Sequence, residues 1–171
     1  MTHTTPNVIM DAFRVYDDDV AGGITSQTAL AAVDTNWTQD VDVKFHVALM
    51  ATETAGGGAN NYNYRWQYKL NAGSWTDLTT TSPIQAVVAD NCTQADDSGY
   101  GTTALTTGAT IQATGYDNDG DDTPNISLTS SSFECTTCLT IDSAQVADED
   151  TIQLRMTNAG TALDADTTIP T

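Results

Sequence analysis

Four groups of side chains could carry chemistry. Cys135-Thr136-Thr137-Cys138 has C-x-x-C spacing, and Cys92 is the third cysteine. A structural zinc site needs four ligands, usually a second such pair or two histidines. The histidines here are His3 and His46, which do not form one. A thioredoxin-like pair opens a helix after a strand, whereas this pair lies inside an alternating run. Residues three apart on a strand face opposite ways, which argues against chelation and against an internal bridge. Cys135 therefore reads as a small core residue and Cys138 as outward-pointing. A disulfide from Cys92 to either is not indicated.

The second group is Asp117-Asn118-Asp119-Gly120-Asp121-Asp122. Alternating carboxylates before a glycine suit a hard cation bound by a tight turn. The EF-hand register fails, because placing Gly120 at position six puts Gly115 at position one and Ile126 where a Glu belongs at position twelve. A looser calcium or magnesium site from Asp117, Asp119 and Asp121 stays open against the simpler reading of a solvated acidic turn. Asp17-Asp18-Asp19 and Asp148-Glu149-Asp150 read as acidic turns too. Nucleophilic catalysis needs a base beside its nucleophile. His3 falls in a terminal segment, and His46 falls on the polar side of a strand with no Ser or Cys motif beside it. There is no G-x-S-x-G and no phosphate loop. Only Glu53, Glu134 and Glu149 are Glu. No enzyme, catalytic residue or resident cofactor is expected. In the last group, Tyr62, Tyr64, Trp66, Tyr68 and Trp75 could stack on a sugar, but all except Trp75 share one strand parity, which core packing also gives. Trp37 and Tyr100 lie in loop-like contexts and are the better candidates for exposed contacts.

The elements that must position these residues are strands. Val41, Val43, Phe45, Val47 and Leu49 alternate with Asp42, Lys44 and His46. Tyr62 to Leu70, Ile152 to Met156 and Phe133 to Ile141 repeat the period of two, the mark of a half-buried strand in an antiparallel sheet. Weaker strands are expected at Val8–Tyr16, Ile84–Ala89, Ala109–Tyr116 and Ile126–Thr129. Asn71-Ala72-Gly73 reads as a hairpin turn in which Asn or Gly takes positive φ. Gly56-Gly57-Gly58 is a looser connection, and Ala95–Thr110 and Tyr116–Asn125 are loops. The best helix candidate, Ser26–Val33, is short. About eight or nine strands with no internal repeat predict an all-β, antiparallel β-sandwich of immunoglobulin-like or jelly-roll type. The expected organisation is an N-terminal arm (1–7), a sandwich domain (8–158) and a C-terminal arm (159–171). Both arms are expected to be extended, ordered at most against a neighbouring subunit.

Composition fits that class. Of the 171 residues, 31 are Thr and 20 are Asp, against 3 Glu. Thr favours strands and Asp favours turns over helix interiors. No apolar run reaches the ~18 residues of a membrane span, and the first residues carry no basic-then-apolar leader pattern. Five Lys and Arg against 23 acids give a net charge of -18. A field of that sign repels phosphate, so nucleic acid is not an expected partner, and neither is a membrane.

Several segments, in order and spacing, resemble one family: Phe13-Arg14-Val15-Tyr16-Asp17-Asp18-Asp19, Val43-Lys44-Phe45, Glu53-Thr54-Ala55-Gly56-Gly57, the long run from Tyr64 through Trp75 to Leu78, Phe133-Glu134-Cys135, Asp150 to Met156, and Asn158 to Leu163. The chain is similar, over roughly Phe13 to Leu163, to small acidic β-sandwich virion structural proteins encoded by tailed phages and prophages, common in marine sequences. Cys138 and the Asp117–Asp122 run depart from the pattern. The resemblance implies a virion protein made in the host cytoplasm, present in many copies and carrying no catalytic residues. The leading expectation is a capsid decoration (cement) protein bound to the major capsid protein. Its contact residues would be Thr5, Pro6, Val8, Trp37, Tyr100, Ile169 and Pro170. The alternatives are a tail or head-fibre component, a carbohydrate- or receptor-binding module, and a surface-layer sandwich from a salt-adapted cell.

Overall fold

A computed structural model describes residues 4–100, 104–105, 111–120 and 126–171. Among them run twelve strands: β1 (Val8–Asp17), β2 (Phe45–Glu53), β3 (Ala59–Tyr62), β4 (Tyr64–Leu70), β5 (Thr76–Asp77), β6 (Ile84–Ala86), β7 (Ile111–Asp117), β8 (Ile126–Leu128), β9 (Ser132–Ile141), β10 (Ile152–Asn158), β11 (Thr161–Ala162) and β12 (Ala165–Asp166). The larger sheet has the order β12-β1-β2-β9-β6, with β7 sharing the free edge of β9 beside β6. A second sheet, β11-β10-β4-β5, covers one face of it, and β3 pairs with β8 in a small third sheet. The fold is all-β and sandwich-like. Most pairings are antiparallel, as the alternation predicts, but β1–β12 and β7–β9 are parallel.

The inner face follows the sequence pattern. Phe45, Val47, Leu49 and Ala51 from β2 and Phe133, Cys135, Leu139 and Ile141 from β9 meet Tyr64, Trp66, Leu154 and Met156 from the covering sheet. Tyr64 stacks on Phe133 at 4.6 Å between ring centroids. Burying such rings and aliphatics contributes about 1.5–3 kcal/mol each. The aromatic row of β4 is therefore core rather than a sugar platform. Trp75 lies under Arg155 and Lys69, at 4.3 and 5.1 Å. In β1 the inward residues are Val8 and Met10, then Phe13 and Val15. A β-bulge between Met10 and Ala12 inserts one residue and flips the parity, which is why the period-two signal there is weak.

Elsewhere the alternation misleads. Every residue of β2 except Thr52, and every residue of β9 except Thr140, is buried. His46 and Cys138, expected to face solvent, are both fully buried. The outer face of the large sheet carries a second core of Ala12, Tyr16, Ala48, Met50, Tyr116 and Cys138, joined by Ile24, Cys92 and Leu105 from covering loops. β2 also starts later than the Val41–Leu49 alternation suggests: Val41 and Val43 precede it and are 40% and 44% exposed. The run from Tyr62 to Leu70 is broken at Asn63, where the chain changes partners from β8 to β10. Expected helix Ser26–Val33 is replaced by a single 3-10 turn, Ile24–Ser26. Beyond it the chain runs along β1, with Leu30 and Asp34 N–H donating to Val15 and Phe13 carbonyls. Edge hydrogen bonds of β1 outcompete a helix that would be too short to hold itself together.

The terminal segments are not free arms. β12 pairs with β1, Leu163 and Pro170 are buried, and Leu154 N–H donates to Pro170 O. Ile169 packs on the inner core. At the other end, Val8 is fully buried as the first residue of β1. Thr5 and Pro6 lie on the glycine turn after β2, where a Cβ at Gly57 would stand 2.4 Å from Thr4 O and 2.6 Å from Pro6 N. The apolar residues near each end reach the sandwich of their own chain, so they satisfy themselves there rather than on a neighbour. Met1 to His3 lie outside the described residues. Deleting residues 163–171 is expected to lower the melting temperature by about 10 °C, from lost burial of one leucine and more. A scanning-calorimetry trace unchanged by the deletion would show the segment to be a loose arm after all.

Candidate functional site

Among the described residues, three places combine shape with chemistry. The first is a cleft of about 990 Å³ at one end of the sandwich. Its floor is apolar, made by Phe45, Ile84, Ile141 and Leu154 from the strand ends. Asp40, Asp148, Glu149 and Asp150 stand among its lining residues. Trp37 lines it too, half-buried, 5.8 Å from Phe45 between ring centroids, with its indole N–H donating to Gln39 Oε1 at 3.3 Å. Trp37 is thus partly spent on the fold, though it borders an open space. Such a cleft can hold an apolar group carrying positive charge.

The second place is the outer face of the large sheet, where buried carboxylates hold loops down. Asp18 accepts backbone N–H bonds from Asp90 (2.6 Å), Asn91 (3.1 Å) and Cys92 (3.0 Å). His46 Nε2 lies 3.3 Å from the same carboxylate, and Cys138 completes a buried Asp18–His46–Cys138 group. Glu134 accepts from the N–H groups of Ala104 (2.7 Å) and Leu105 (2.9 Å) and from the Tyr100 hydroxyl (2.6 Å). Tyr100 is therefore only half exposed, its hydroxyl engaged with Glu134 and Thr136, and is not the free contact its loop setting suggests. At the β2 end, Glu53 accepts from Asn7, Ala55, Gly56, Gly57 and Ser130 N–H groups.

A cysteine, a histidine and an aspartate in contact invite a thiol-nucleophile reading, which the surroundings oppose. Burial, then the charge of Asp18, pushes the Cys138 thiol far up, so it stays protonated. Burial lowers His46 against the pull of Asp18. Both side chains are sealed from solvent, whereas a reactive thiol is a partly exposed thiolate. All three cysteines are free and buried. The group works as a clamp: burial pushes Asp18 up, three backbone N–H groups and His46 outweigh it, and the carboxyl rests below its usual range.

The third place is acidic. Asp96, Asp117 and Asp119 each offer a carboxylate oxygen within 4.8 Å of the others. Asp117 is 1% exposed, while Asp96 and Asp119 face solvent. Burial, opposed by N–H bonds from Gly120 and Asp119, pushes the Asp117 carboxyl up to about 7. Asp117 and Asp119 of the expected calcium loop therefore come together, and Asp121 lies outside the described residues. Asp96, which the sequence reading places in a loop without assigning it a role, joins them from a loop over 20 residues away. Two of the three carboxylate clamps had a faint signal: Glu53 and Glu134 are two of only three Glu in an Asp-rich chain, and both are buried.

Glu53 gives a signed pH test. Burial alone would raise its carboxyl, but the ring of N–H donors outweighs this and holds it down at about 2. A carboxyl lower in the folded than in the unfolded chain stabilises above its unfolded value and loses that effect as pH falls through the folded one. Glu53→Gln should therefore cost about 2 kcal/mol at neutral pH. The gap to wild type should close between pH 4.5 and 2 in denaturant titrations, and a gap that is independent of pH would refute the clamp. Comparison with protein-family models, with curated proteins and with solved structures finds nothing that matches this chain.

Proposed function

We propose that the chain is a capsid decoration protein of a tailed phage: a virion structural protein that sits in many copies on the outside of the head and reinforces the major capsid lattice without covalent bonds. The observation that carries this is the use of the basic side chains. All five are engaged inside the fold. Arg14 donates to Ala31 O and lies over Tyr16, Lys44 meets Asp90, Arg65 meets Asp77, and Lys69 and Arg155 cover Trp75. The rest of the surface is acidic, to a net charge of -18. Copies of such a protein repel one another in solution and dock only on a surface of complementary charge. The resemblance to acidic virion sandwiches supports the same reading, as does the use of the buried carboxylates to hold loops in place.

Contacts cannot run through Val8 or Pro170, which are buried in the fold. The exposed apolar side chains lie elsewhere. Val43 and Val88 flank Lys44, whose ammonium donates to Val88 O, and Val88 is 67% exposed. In purified virions of the encoding phage, the chain should be present in a fixed ratio to the major capsid protein. Adding it to undecorated heads should raise their disruption temperature. Labelling found only on tails would replace this reading with a tail component.

A second reading, a carbohydrate- or receptor-binding module, is favoured by one observation: Trp37 borders the cleft. Retention on a glycan resin that is abolished by Trp37→Ala would establish it, and flow-through of the wild-type chain would dismiss it.

A further inference from the structure

The acidic group at the end of β7 has a feature that a solvated turn does not explain. Asp117 is one of its three members and is buried. Its Oδ1 is held by Gly120 N–H at 2.8 Å and Asp119 N–H at 3.1 Å. Its Oδ2 is buried and has no hydrogen-bond partner among the described residues. A buried carboxylate oxygen without a partner is unfavourable, yet the chain places the Asp117 carboxyl within reach of two further carboxylates. We infer that Asp96, Asp117 and Asp119 form a calcium site, with Asp117 as the buried ligand and the other two closing it from the solvent side.

The geometry suits that ion. Oxygens about 2.4 Å from one cation lie at most about 4.8 Å apart, and one oxygen from each residue falls within 4.8 Å of the others. The donors are all oxygen, with no imidazole or thiolate among them, which favours a hard cation over zinc or copper. Water can complete the six to eight ligands calcium takes, because two of the three residues are exposed. Magnesium demands a near-octahedral shell and gives up its water reluctantly, so a set drawn from two loops suits it less well.

The two loops are fixed against each other before any ion arrives. Asn118 N–H donates to Asp96 Oδ1 at 3.0 Å, Asp97 N–H to Tyr116 O at 2.8 Å, and Tyr116 N–H to Ser98 O at 3.1 Å. Gly120 turns the chain at φ +82°, where a Cβ would meet Leu78 O at 2.6 Å. An ion here would tie the 95–98 loop, part of the cover on the outer face of the large sheet, to the end of β7. This inference does not rest on the virion assignment.

The test is thermal unfolding of the full chain after chelation, with calcium added back as the chloride. At 10 mM calcium and a dissociation constant near 0.1 mM, a common strength for such sites outside cells, the melting temperature should rise by about 5–10 °C. Magnesium at the same ionic strength should give a clearly smaller rise. Asp96→Asn changes an exposed residue, should melt like wild type under chelator, and should lose most of the calcium gain. Asp117→Asn should lose it too, and Asp148→Asn, in the cleft, should keep it. Calorimetric titration with calcium should give one site per wild-type chain and a dissociation constant raised at least tenfold in Asp96→Asn. An equal rise with magnesium, or an undiminished calcium rise in Asp96→Asn, would mean general screening of the acidic surface and would overturn the site.

Discussion

The β2–β9 pair is covered on both faces, and much of the molecule answers to that constraint. A strand pair of this kind leaves no wet side, so loops must close over the face the second sheet does not reach. Loops carry backbone N–H groups that lack a ladder partner, and burying them unpaired is costly. Here carboxylates take that role. Asp18 gathers three N–H groups from residues 90–92, and Glu134 gathers two from residues 104–105. Each charge replaces the water that a loop would otherwise bind. In return, the loop dipoles solvate the buried charge, which is why both sides of the exchange are tolerated.

The sequence shows one half of this arrangement and hides the other. Period-two alternation located β4, β9 and β10 and their inward residues, because one face of each strand is uniformly apolar. The same rule points His46 and Cys138 to solvent, since small or polar residue types at alternate positions look alike whether they meet water or a covering loop. Only the partners distinguish the cases, and those of His46 and Glu134 lie 28 to 34 residues away. β1 was blurred by its bulge at Asp11. The short strands β5, β11 and β12 have too few residues for any period. Of the acidic group, Asp117 and Asp119 were visible as a local run, whereas Asp96 comes from a distant loop that only the fold brings near.

A division of labour follows. Buried Asp18, Glu53 and Glu134 clamp loops. Surface acids set the charge that governs what the molecule can meet. The cleft, with Trp37 at its border, joins an apolar floor to negative charge. Under the decoration reading proposed above, a subunit that stays dispersed until it meets a lattice would draw on this combination of packed interior and repulsive exterior.

The parallel pairing of β12 with β1 has a mechanical meaning. The two strands point the same way, so a pull applied through the residues before Val8 and those after Asp166 draws them past each other lengthwise. Hydrogen bonds from Asp164 to Val8 and from Thr167 to Met10 would then share the load and have to yield together instead of opening one by one. Strands sheared in this way resist force better than strands peeled apart, so the β1–β12 seam would be the firm point of the sandwich under tension.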